Sequence, residues 1–273
     1  MRTLYLDTAM GLAGDMFSAA LLQLFKDDKR EELLLNLNQM GLDGVETYLV
    51  PKEMSGVLGC QLKVEIHGEE EHEHQAHGHH YGRSLSEVLT IIDALNVPNT
   101  VKEKAKGMYQ LIAKAESKAH GKEVAEIHFH EVGMLDAIFD VTAACYLMEK
   151  LSVDEVVATP LCVGGGTVHC AHGILSVPAP ATKNILEDAG ISYEMADESF
   201  GELCTPTGAA IYATFVNRIL TRDTYGKVME SLFIKDEWKM SEDSGTKKAK
   251  KGFGMGHKEF EEPNCVKAYL VEG

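Results

Sequence analysis

Hydrophobic and polar residues follow two different patterns along this chain, and each predicts one kind of secondary structure. Short apolar runs, several with strict alternation, predict strands at residues 3–6, 45–50, 60–66, 153–158, 228–234 and 263–271. Longer runs with apolar residues three or four positions apart predict helices at residues 16–25, 31–40, 84–97, 101–120, 134–151, 178–189 and from residue 206 onward. Together these elements predict an α/β (mixed α+β) fold.

The pattern divides one main globular unit into four segments. Residues 1–66 form an N-terminal αβ segment, and residues 83–220 form a central αβ core that holds most of the motifs. Residues 67–82 are low in sequence complexity and rich in histidine, which predicts a flexible loop outside the core. Residues 221–273 are expected to form a small C-terminal αβ lobe, in which a glycine-spaced turn at residues 252–257 precedes the final strand.

Charge and hydropathy narrow the class of protein. The chain has 273 residues, with 26 Lys and Arg against 42 Asp and Glu, so its formal net charge is −16. Such an acidic chain argues against nucleic acid as a partner, because that interaction depends on Lys and Arg neutralising phosphates. No apolar run approaches the ~18 residues of a membrane span. The six cysteines show no CxxC spacing and no export signal precedes them, so reduced thiols and a cytoplasmic location are expected.

The richest chemistry lies in one stretch, residues 126–140. Its candidate side chains are two imidazoles and three carboxylates, on His128, His130, Glu131, Asp136 and Asp140. Alternation places both imidazoles on one face of a strand, and the two aspartates, four residues apart, share one face of a helix. Imidazole and carboxylate ligands suit a borderline divalent cation. The structural alternative is hydrogen-bonded histidines and helix capping, but Asp140 lies too deep in the helix to cap it.

A second candidate site follows the first strand. Asp7 ends the strand, Gly11 and Gly14 lie in a turn of small residues, and Asp15 begins the next helix. A glycine turn at a helix N-terminus can bind an anion, and the two acids fit a metal or a polarised ligand group equally well. Capping by Asp15 at a plain strand-end turn remains an equal alternative.

The low-complexity segment at residues 67–82 holds six of the twelve histidines. Its candidate metal ligands are His72, His74, His77, His79 and His80. Clustered imidazoles among carboxylates bind Zn, Ni or Cu without fixed geometry. We interpret the segment as a metal reservoir rather than a reaction centre, since catalysis needs fixed ligands. A solvated insertion without a role is the alternative.

Two further motifs lie in the central core. The first combines three consecutive glycines with nearby thiols and imidazoles, and its candidates are Gly164, Gly165, Gly166, His169, Cys170 and His172. Such glycines allow a ligand to approach the backbone closely, although a glycine hairpin with incidental cysteines is the alternative. In the second motif, Thr205, Thr207 and Gly208 at a helix start could bind a phosphate or carboxylate. Capping by Thr205 explains that motif equally well.

The order of these motifs resembles one family over nearly the whole chain. The blocks YLDTAMGLAGDMF, HFHEVGMLDAIFD, VGGGTVHCAHGILSVPAPAT, GELCTPTGAA and GFGMGHKEFEEPNC closely resemble the nickel insertion proteins of nickel-pincer cofactor biosynthesis, which mature lactate racemase. The resemblance implies a nickel chelatase of the lyase class. It implies that Ni(II) enters pyridinium-3,5-bisthiocarboxylic acid mononucleotide, forming one nickel–carbon and two nickel–sulfur bonds, with CTP consumed in the presence of Mg or Mn.

The resemblance also suggests roles and partners. It implies that His128, His130, Glu131 and Asp136 handle the metal and the ring proton, and that Glu131 is the base if the two histidines hold nickel. Cys170 and His172 would pass nickel onward or orient the thiocarboxylates. The glycine turns and the helix start at Thr205 are candidates for the substrate phosphate.

The chain departs from the family in two respects. Long members carry a further C-terminal domain, associated with CTP, whereas this chain stops after its last predicted strand. CTP is therefore not expected to bind here, and a separate C-terminal half is an expected partner, together with further copies of this chain. Met10 and Ala13 also replace serines that are usual in the first turn. Two other functions remain open: a nickel carrier or storage protein without catalysis, and a metal-dependent hydrolase.

Overall fold

A computed structural model describes residues 1–70, 82–170, 173–233 and 248–273 of the chain. The α-helices of these residues are α1 (Gly14–Leu22), α2 (Asp27–Asn38), α3 (Leu85–Ala94), α4 (Asn99–His120), α5 (Leu135–Leu151), α6 (Pro180–Asp188), α7 (Pro206–Phe215) and α8 (Arg222–Phe233). The strands are β1 (Arg2–Asp7), β2 (Val45–Met54), β3 (Val57–Ile66), β4 (Glu69–Glu70), β5 (Arg83–Ser84), β6 (His128–Phe129), β7 (Glu155–Ala158), β8 (Leu161–Cys162), β9 (Thr167–Cys170), β10 (Gly173–Ser176), β11 (Tyr193–Glu194), β12 (Arg218–Ile219), β13 (Lys248–Met255) and β14 (Cys265–Glu272).

One mixed sheet organises the fold, in the strand order β12-β7-β1-β14-β13-β3-β2, with β4 paired to β3. β1 runs parallel to β7 and antiparallel to β14. The remaining strands form three pairs, β10 with β9, β11 with β8 and β5 with β6. These elements confirm the predicted mixed α/β fold in one globular unit. None of the helices in the described part of the chain is long and apolar enough to cross a membrane.

On one face of β1, Tyr5 packs against Tyr225 of α8, with ring centroids 6.3 Å apart. Helices α1, α4, α5, α6 and α7 form the core against the other face. Alternate residues of β1, such as Leu4 and Leu6, are buried there. α1 packs directly on β13, because Gly252 and Gly254 leave room for its backbone. A Cβ at Gly254 would lie only 1.7 Å from the carbonyl oxygen of Met16. α5 packs against α1 and α4, and α6 and α7 pack in turn against α4.

Several local predictions are confirmed. Residues 45–50 and 60–66 belong to the antiparallel hairpin of β2 and β3, in which Val45 pairs with Ile66. Ser84 and Glu87 form a reciprocal capping box at the start of α3. Gly121 ends α4 with a φ of 63°, a left-handed conformation in which glycine carries no steric penalty.

The C-terminal part contains two errors of prediction. Residues 228–233 lie in α8 rather than in a strand, because the partly or fully buried residues Tyr225, Val228 and Leu232 follow helical spacing. The sequence 252–255, predicted as a turn, belongs to β13, whose glycines serve close packing against α1. The residues assigned to a C-terminal lobe supply β13 and β14, and β14 lies between β1 and β13 in the main sheet.

Candidate active site

The turn between β1 and α1 is held by two other loops. The backbone N–H of Leu12 donates to Leu203 O at 3.0 Å, and that of Thr205 donates to Leu12 O at 3.3 Å. From the other side, Asn264 Nδ2 donates to Met10 O at 3.0 Å. The backbone N–H of Leu203 also donates to Val163 O at 3.1 Å, so the segments 8–13, 201–205 and 163–166 form one crossing of loops, which we call the loop crossing, at the end of β1.

The glycines of the loop crossing serve contacts between backbones. A Cβ on Gly11 would lie 1.9 Å from Leu203 O, and one on Gly208 would lie 1.9 Å from Leu12 O. The three consecutive glycines also lie against other backbone segments. A Cβ would be 2.0 to 2.5 Å from a carbonyl oxygen at Gly164, Gly165 and Gly166. The space expected for a ligand beside these glycines is filled by protein backbone.

The helix start at Thr205 is capped as the sequence predicts. Thr205 Oγ1 accepts a hydrogen bond from the backbone N–H of Gly208 at 3.1 Å and lies 2.9 Å from Thr207 Oγ1. Pro206 has no N–H, so this hydroxyl satisfies one of the few donors of the first turn. The phosphate role of both threonines stays a prediction.

A cluster of carboxylates lies on the other side of the turn. Asp140, in the second turn of α5, lies against the start of α1, where a Cβ on Gly14 would be 2.7 Å from Asp140 Oδ2. Burial, and then the nearby charges of Asp15 and Asp136, raise the pKa of Asp140 well above its usual range. The backbone N–H of Asp15 donates to this carboxylate and offsets part of the rise. We call Asp15, Asp136 and Asp140 the acid cluster.

Asp140 contributes a buried acceptor to the acid cluster. Asp140 Oδ1 is shielded from solvent and has no hydrogen-bond partner among the described residues. A buried carboxylate oxygen in this state costs free energy in the folded protein, typically about 1–3 kcal/mol or more for a charged group. The oxygen is therefore an acceptor that a ligand or a proton would satisfy.

Two residues that sequence reasoning missed hold the neighbouring segment. Tyr109 Oη donates to Val132 O at 2.9 Å, and Arg83 Nη1 donates to Gly133 O at 2.6 Å. Burial, followed by the charges of Asp136 and Asp140, raises the pKa of Tyr109 well above its usual range. Tyr109 therefore stays protonated and keeps the segment before α5 in place.

The central stretch shows the predicted alternation. Ile127 and Phe129 are buried, whereas His128 and His130 are exposed. β6 contains only two residues and pairs with β5, where His128 lies opposite Ser84 and its Nδ1 is 3.4 Å from Gly82 O. The two imidazoles thus share the exposed face of the segment.

Glu131 follows His130 and is also exposed. Its charge contributes to a raised pKa of Glu116 on α4, for which burial is the main cause. The charge of Glu131 therefore acts on α4, while Asp136 and Asp140 act on each other and on Asp15. The structure brings three of the five predicted catalytic acids together.

Asp7 has different partners. Its Oδ1 accepts from the backbone N–H of Ala9 at 3.1 Å, and its Oδ2 lies 3.3 Å from Lys267 Nζ on β14. Its charge also contributes to the raised pKa of Tyr225, where burial is the larger cause. Asp7 thus pairs with a lysine, while Asp15 interacts with Asp140.

His257, on the loop after β13, is a further residue that sequence reasoning missed. Its Nε2 lies 3.1 Å from Asp15 Oδ2, although the two residues are 242 positions apart. Its Nδ1 lies 2.9 Å from Nε2 of Gln61, a buried residue of β3. The glycines of residues 252–257 were interpreted as a turn. The histidine at the end of that motif is the sequence feature that could have indicated this residue.

The remaining metal candidates are partly described. His169 and Cys170 lie on β9, which forms a hairpin with β10. Cys162 and Cys204 are buried, and burial raises the pKa of both thiols. His172 and the histidines of the low-complexity segment, at positions 72, 74, 77, 79 and 80, lie outside the described residues. Within the described ranges, no three His, Cys, Asp or Glu side chains form a group that could hold a metal ion.

Fold and site together define a mixed α/β protein with a partly buried acid cluster at the start of its first helix. The family model described as "Nickel insertion protein" matches residues 4–229 of the chain. The chain therefore belongs to the nickel insertion protein family. No solved structure matches it.

Several relatives are described as pyridinium-3,5-bisthiocarboxylic acid mononucleotide nickel insertion proteins. The protein of Alkaliphilus metalliredigens is 36% identical over 98% of this chain and 60% of its own length. That of Clostridium kluyveri is 37% identical over 100% of this chain and 62% of its own length. That of Staphylococcus saprophyticus is 34% identical over 97% and 59%. The chain thus spans about 60% of the length of the relatives it matches.

Proposed function

We propose that this chain carries the site at which Ni(II) is inserted into pyridinium-3,5-bisthiocarboxylic acid mononucleotide, giving the nickel-pincer cofactor of lactate racemase. Membership of the family supports the reaction. The observation that carries the site is the acid cluster, with its unsatisfied Asp140 Oδ1. Insertion must remove one proton from the ring carbon, and the electron pair of that C–H bond forms the nickel–carbon bond. The two thiocarboxylate sulfurs supply the other bonds, so no electron acceptor is needed.

The acid cluster suits the removal of this proton. A general base must reach the proton directly, and shielding from water strengthens a carboxylate as a base. Asp140 combines both features, since it is partly buried and one oxygen is unsatisfied. Asp15 and Asp136 raise its proton affinity further by their charge. Asp140 is therefore our first choice of base, ahead of the exposed Glu131.

The exposed face of the central stretch is the proposed point of metal delivery. His128, His130 and Glu131 lie there, and imidazole with carboxylate suits Ni(II). Cys170 and His172, together with the histidines of residues 67–82, are proposed as further nickel carriers. We assign the substrate phosphate to the start of helix α7, where Thr205 and Thr207 lie.

CTP, with Mg or Mn, is proposed to act through the additional C-terminal domain of long family members. A separate chain could supply that domain to this one, and assembly with further copies of the chain is part of the same proposal. The reaction would be of the lyase class and would take place in the cytoplasm, where reduced thiols are the rule.

The test is cofactor formation by the purified chain with nickel, the mononucleotide precursor and CTP, with and without the C-terminal domain of a long relative. Asp140→Asn should lower the rate about 10²- to 10⁴-fold if Asp140 is the base. Glu131→Gln should have a smaller effect. Asp188→Asn, at an exposed ion pair with Lys118, is the control and should retain the rate.

Three results would overturn the proposal. Full activity of Asp140→Asn together with loss in Glu131→Gln would move the base to the exposed face. Nickel binding without any cofactor formation, even with the C-terminal domain present, would favour the nickel carrier. Release of a phosphate from an ester without precursor would instead favour the hydrolase.

A further inference from the structure

The pair of His257 and Asp15 lies at the margin of the acid cluster. The His257 side chain is 67% exposed and the Asp15 side chain is 13% exposed. The pair therefore extends from the solvent-exposed surface to the acid cluster. We propose that Nε2 of His257 and Oδ2 of Asp15 form a two-ligand entry site for Ni(II), the cargo of the proposed function on which this inference rests. No role was predicted for His257 from the sequence, and the relatives' names assign none to it.

The separation of the two atoms fits a shared metal ion. Nitrogen and oxygen ligands of a first-row divalent ion lie about 2.1 Å from it, and two such ligands at a right angle are about 3.0 Å apart. The Nε2–Oδ2 distance is 3.1 Å. An ion could therefore bind both atoms with little movement of either side chain. By comparison, His120 and Glu116 form a second histidine–carboxylate pair on α4 with a distance of 3.5 Å.

A buried amide lies beside the imidazole. Gln61 is only 6% exposed, and its Nε2 lies 2.9 Å from Nδ1 and 3.3 Å from Nε2 of His257. When Nε2 of a histidine binds a metal, Nδ1 carries the proton and needs an acceptor, commonly an oxygen behind the ring. The side-chain amide of Gln61 can present its oxygen instead of its nitrogen, because the two orientations have nearly the same shape.

The loop that carries His257 is fixed on both sides. Lys52 Nζ donates to Gly256 O at 2.8 Å, and the backbone N–H of Gly256 donates to Asn264 O at 2.8 Å. Asn264 in turn bonds to Met10 in the turn before α1. The imidazole and the carboxylate therefore approach each other from two segments tied together, which holds a metal site at low cost in conformational entropy.

Two protein ligands suit a metal that must be passed on. A closed set of four protein ligands holds a structural ion, whereas open positions are left for exchangeable groups. At this site, water would fill the open positions until the thiocarboxylate sulfurs of the substrate replace it. Asp136 and Asp140 add negative charge beside the pair, which attracts the cation toward the base.

The test uses the paramagnetism of Ni(II) in NMR spectra of the full chain without precursor. Bound nickel should broaden the amide signals of Met10, Gln61 and Asn264, which surround the proposed site. His257→Ala should abolish the broadening at these three residues and remove one equivalent of bound nickel. His120→Ala, the matched control, should behave as the wild type. Broadening within residues 67–82 should persist in both variants, so this segment cannot be mistaken for the site.

Substitutions of Gln61 separate support of the imidazole from general structural effects. Gln61→Leu should weaken nickel binding at this site about 10- to 100-fold. Gln61→Glu, which offers only acceptor oxygens, should restore it. Equal losses in both variants, or broadening at Met10 and Asn264 that survives His257→Ala, would overturn the proposal.

The nickel measurement is independent of the reaction. If nickel binds at His257 but no cofactor forms with any partner, the entry site stands and the proposed function fails. If His257→Ala forms cofactor at the wild-type rate at limiting nickel, the entry site is wrong and the proposed function stands.

Discussion

The loop crossing and the acid cluster lie on either side of the same turn, and they use polar groups in opposite ways. At the loop crossing, backbone donors and acceptors pair with one another, as between Leu12 and Leu203. In the acid cluster, like charges are grouped and Asp140 Oδ1 is left unsatisfied. The first region satisfies its polar groups within the fold, whereas the second contains a buried, unsatisfied carboxylate oxygen that costs free energy. The sequence motifs of the two regions look alike as candidate sites. Their hydrogen bonding in the structure shows which region is structural and which can take part in the reaction.

The largest effect is expected at the loop crossing. Gly11→Ala would place a Cβ 1.9 Å from Leu203 O, at a φ of 88° that L residues rarely adopt. We expect a loss of more than about 3 kcal/mol in the free energy of unfolding, measured by urea denaturation. Gly107→Ala is the control, because a Cβ there meets no atom within 4 Å. That variant should gain about 0.5–1 kcal/mol from helix propensity. Similar stability of the two variants would show that the loop crossing does not depend on glycine.

A substitution in the acid cluster should raise the free energy of unfolding, in contrast to Gly11→Ala. Asp140→Asn removes a charge that is costly to bury, so we expect a gain of about 1–3 kcal/mol in the free energy of unfolding at neutral pH. The same variant should lose activity. A loss of stability at neutral pH would show that the charged form of Asp140 is well stabilised in the fold.

The pH dependence of stability tests the same point independently. The folded protein raises the pKa of Asp140, so it binds this proton more tightly than the unfolded chain does. This contribution is fully present below the ordinary aspartate pKa, about 4, and is lost as the pH rises through the higher folded value. The wild type should therefore lose stability relative to Asp140→Asn over that range. Parallel profiles of the two proteins would contradict the raised pKa.

A smaller effect is expected at the start of α7. Thr205→Ala removes the cap on Gly208 and should cost about 1 kcal/mol. Ser84→Ala removes a comparable cap from α3 and is the matched control. If Thr205 only caps the helix, both variants should form cofactor with the wild-type KM for the precursor. A raised KM in Thr205→Ala alone would place the substrate phosphate at the start of α7.

The smallest effect is expected at the surface. Lys118→Met breaks an exposed ion pair with Asp188 and should change the free energy of unfolding by at most about 0.5 kcal/mol. A larger change would mean that the packing of α4 against α6 depends on this ion pair. Surface contacts would then contribute as much to the free energy of unfolding as the loop crossing or the acid cluster.

Sequence reasoning predicted well where the signal is local. The hairpin of β2 and β3, the capping box at Ser84 and the cap at Thr205 each depend on residues close in sequence. It failed at residues 252–255, where two glycines indicated a turn. Those glycines serve contact with α1, a distant element whose position the local pattern does not contain.

The same division holds for the candidate site. The sequence by itself determined that His128 and His130 share an exposed face and that Asp136 and Asp140 share one side of a helix, because a period of two or of 3.6 residues decides both. Only the tertiary structure decided that Asp15 joins Asp140, that Asp7 pairs with Lys267 instead, and that His257 reaches Asp15. Sheet order and helix packing bring together residues far apart in the chain, and the same packing shields Asp140 Oδ1 from water. The cost of a buried charge therefore depends on long-range packing, which no local pattern encodes.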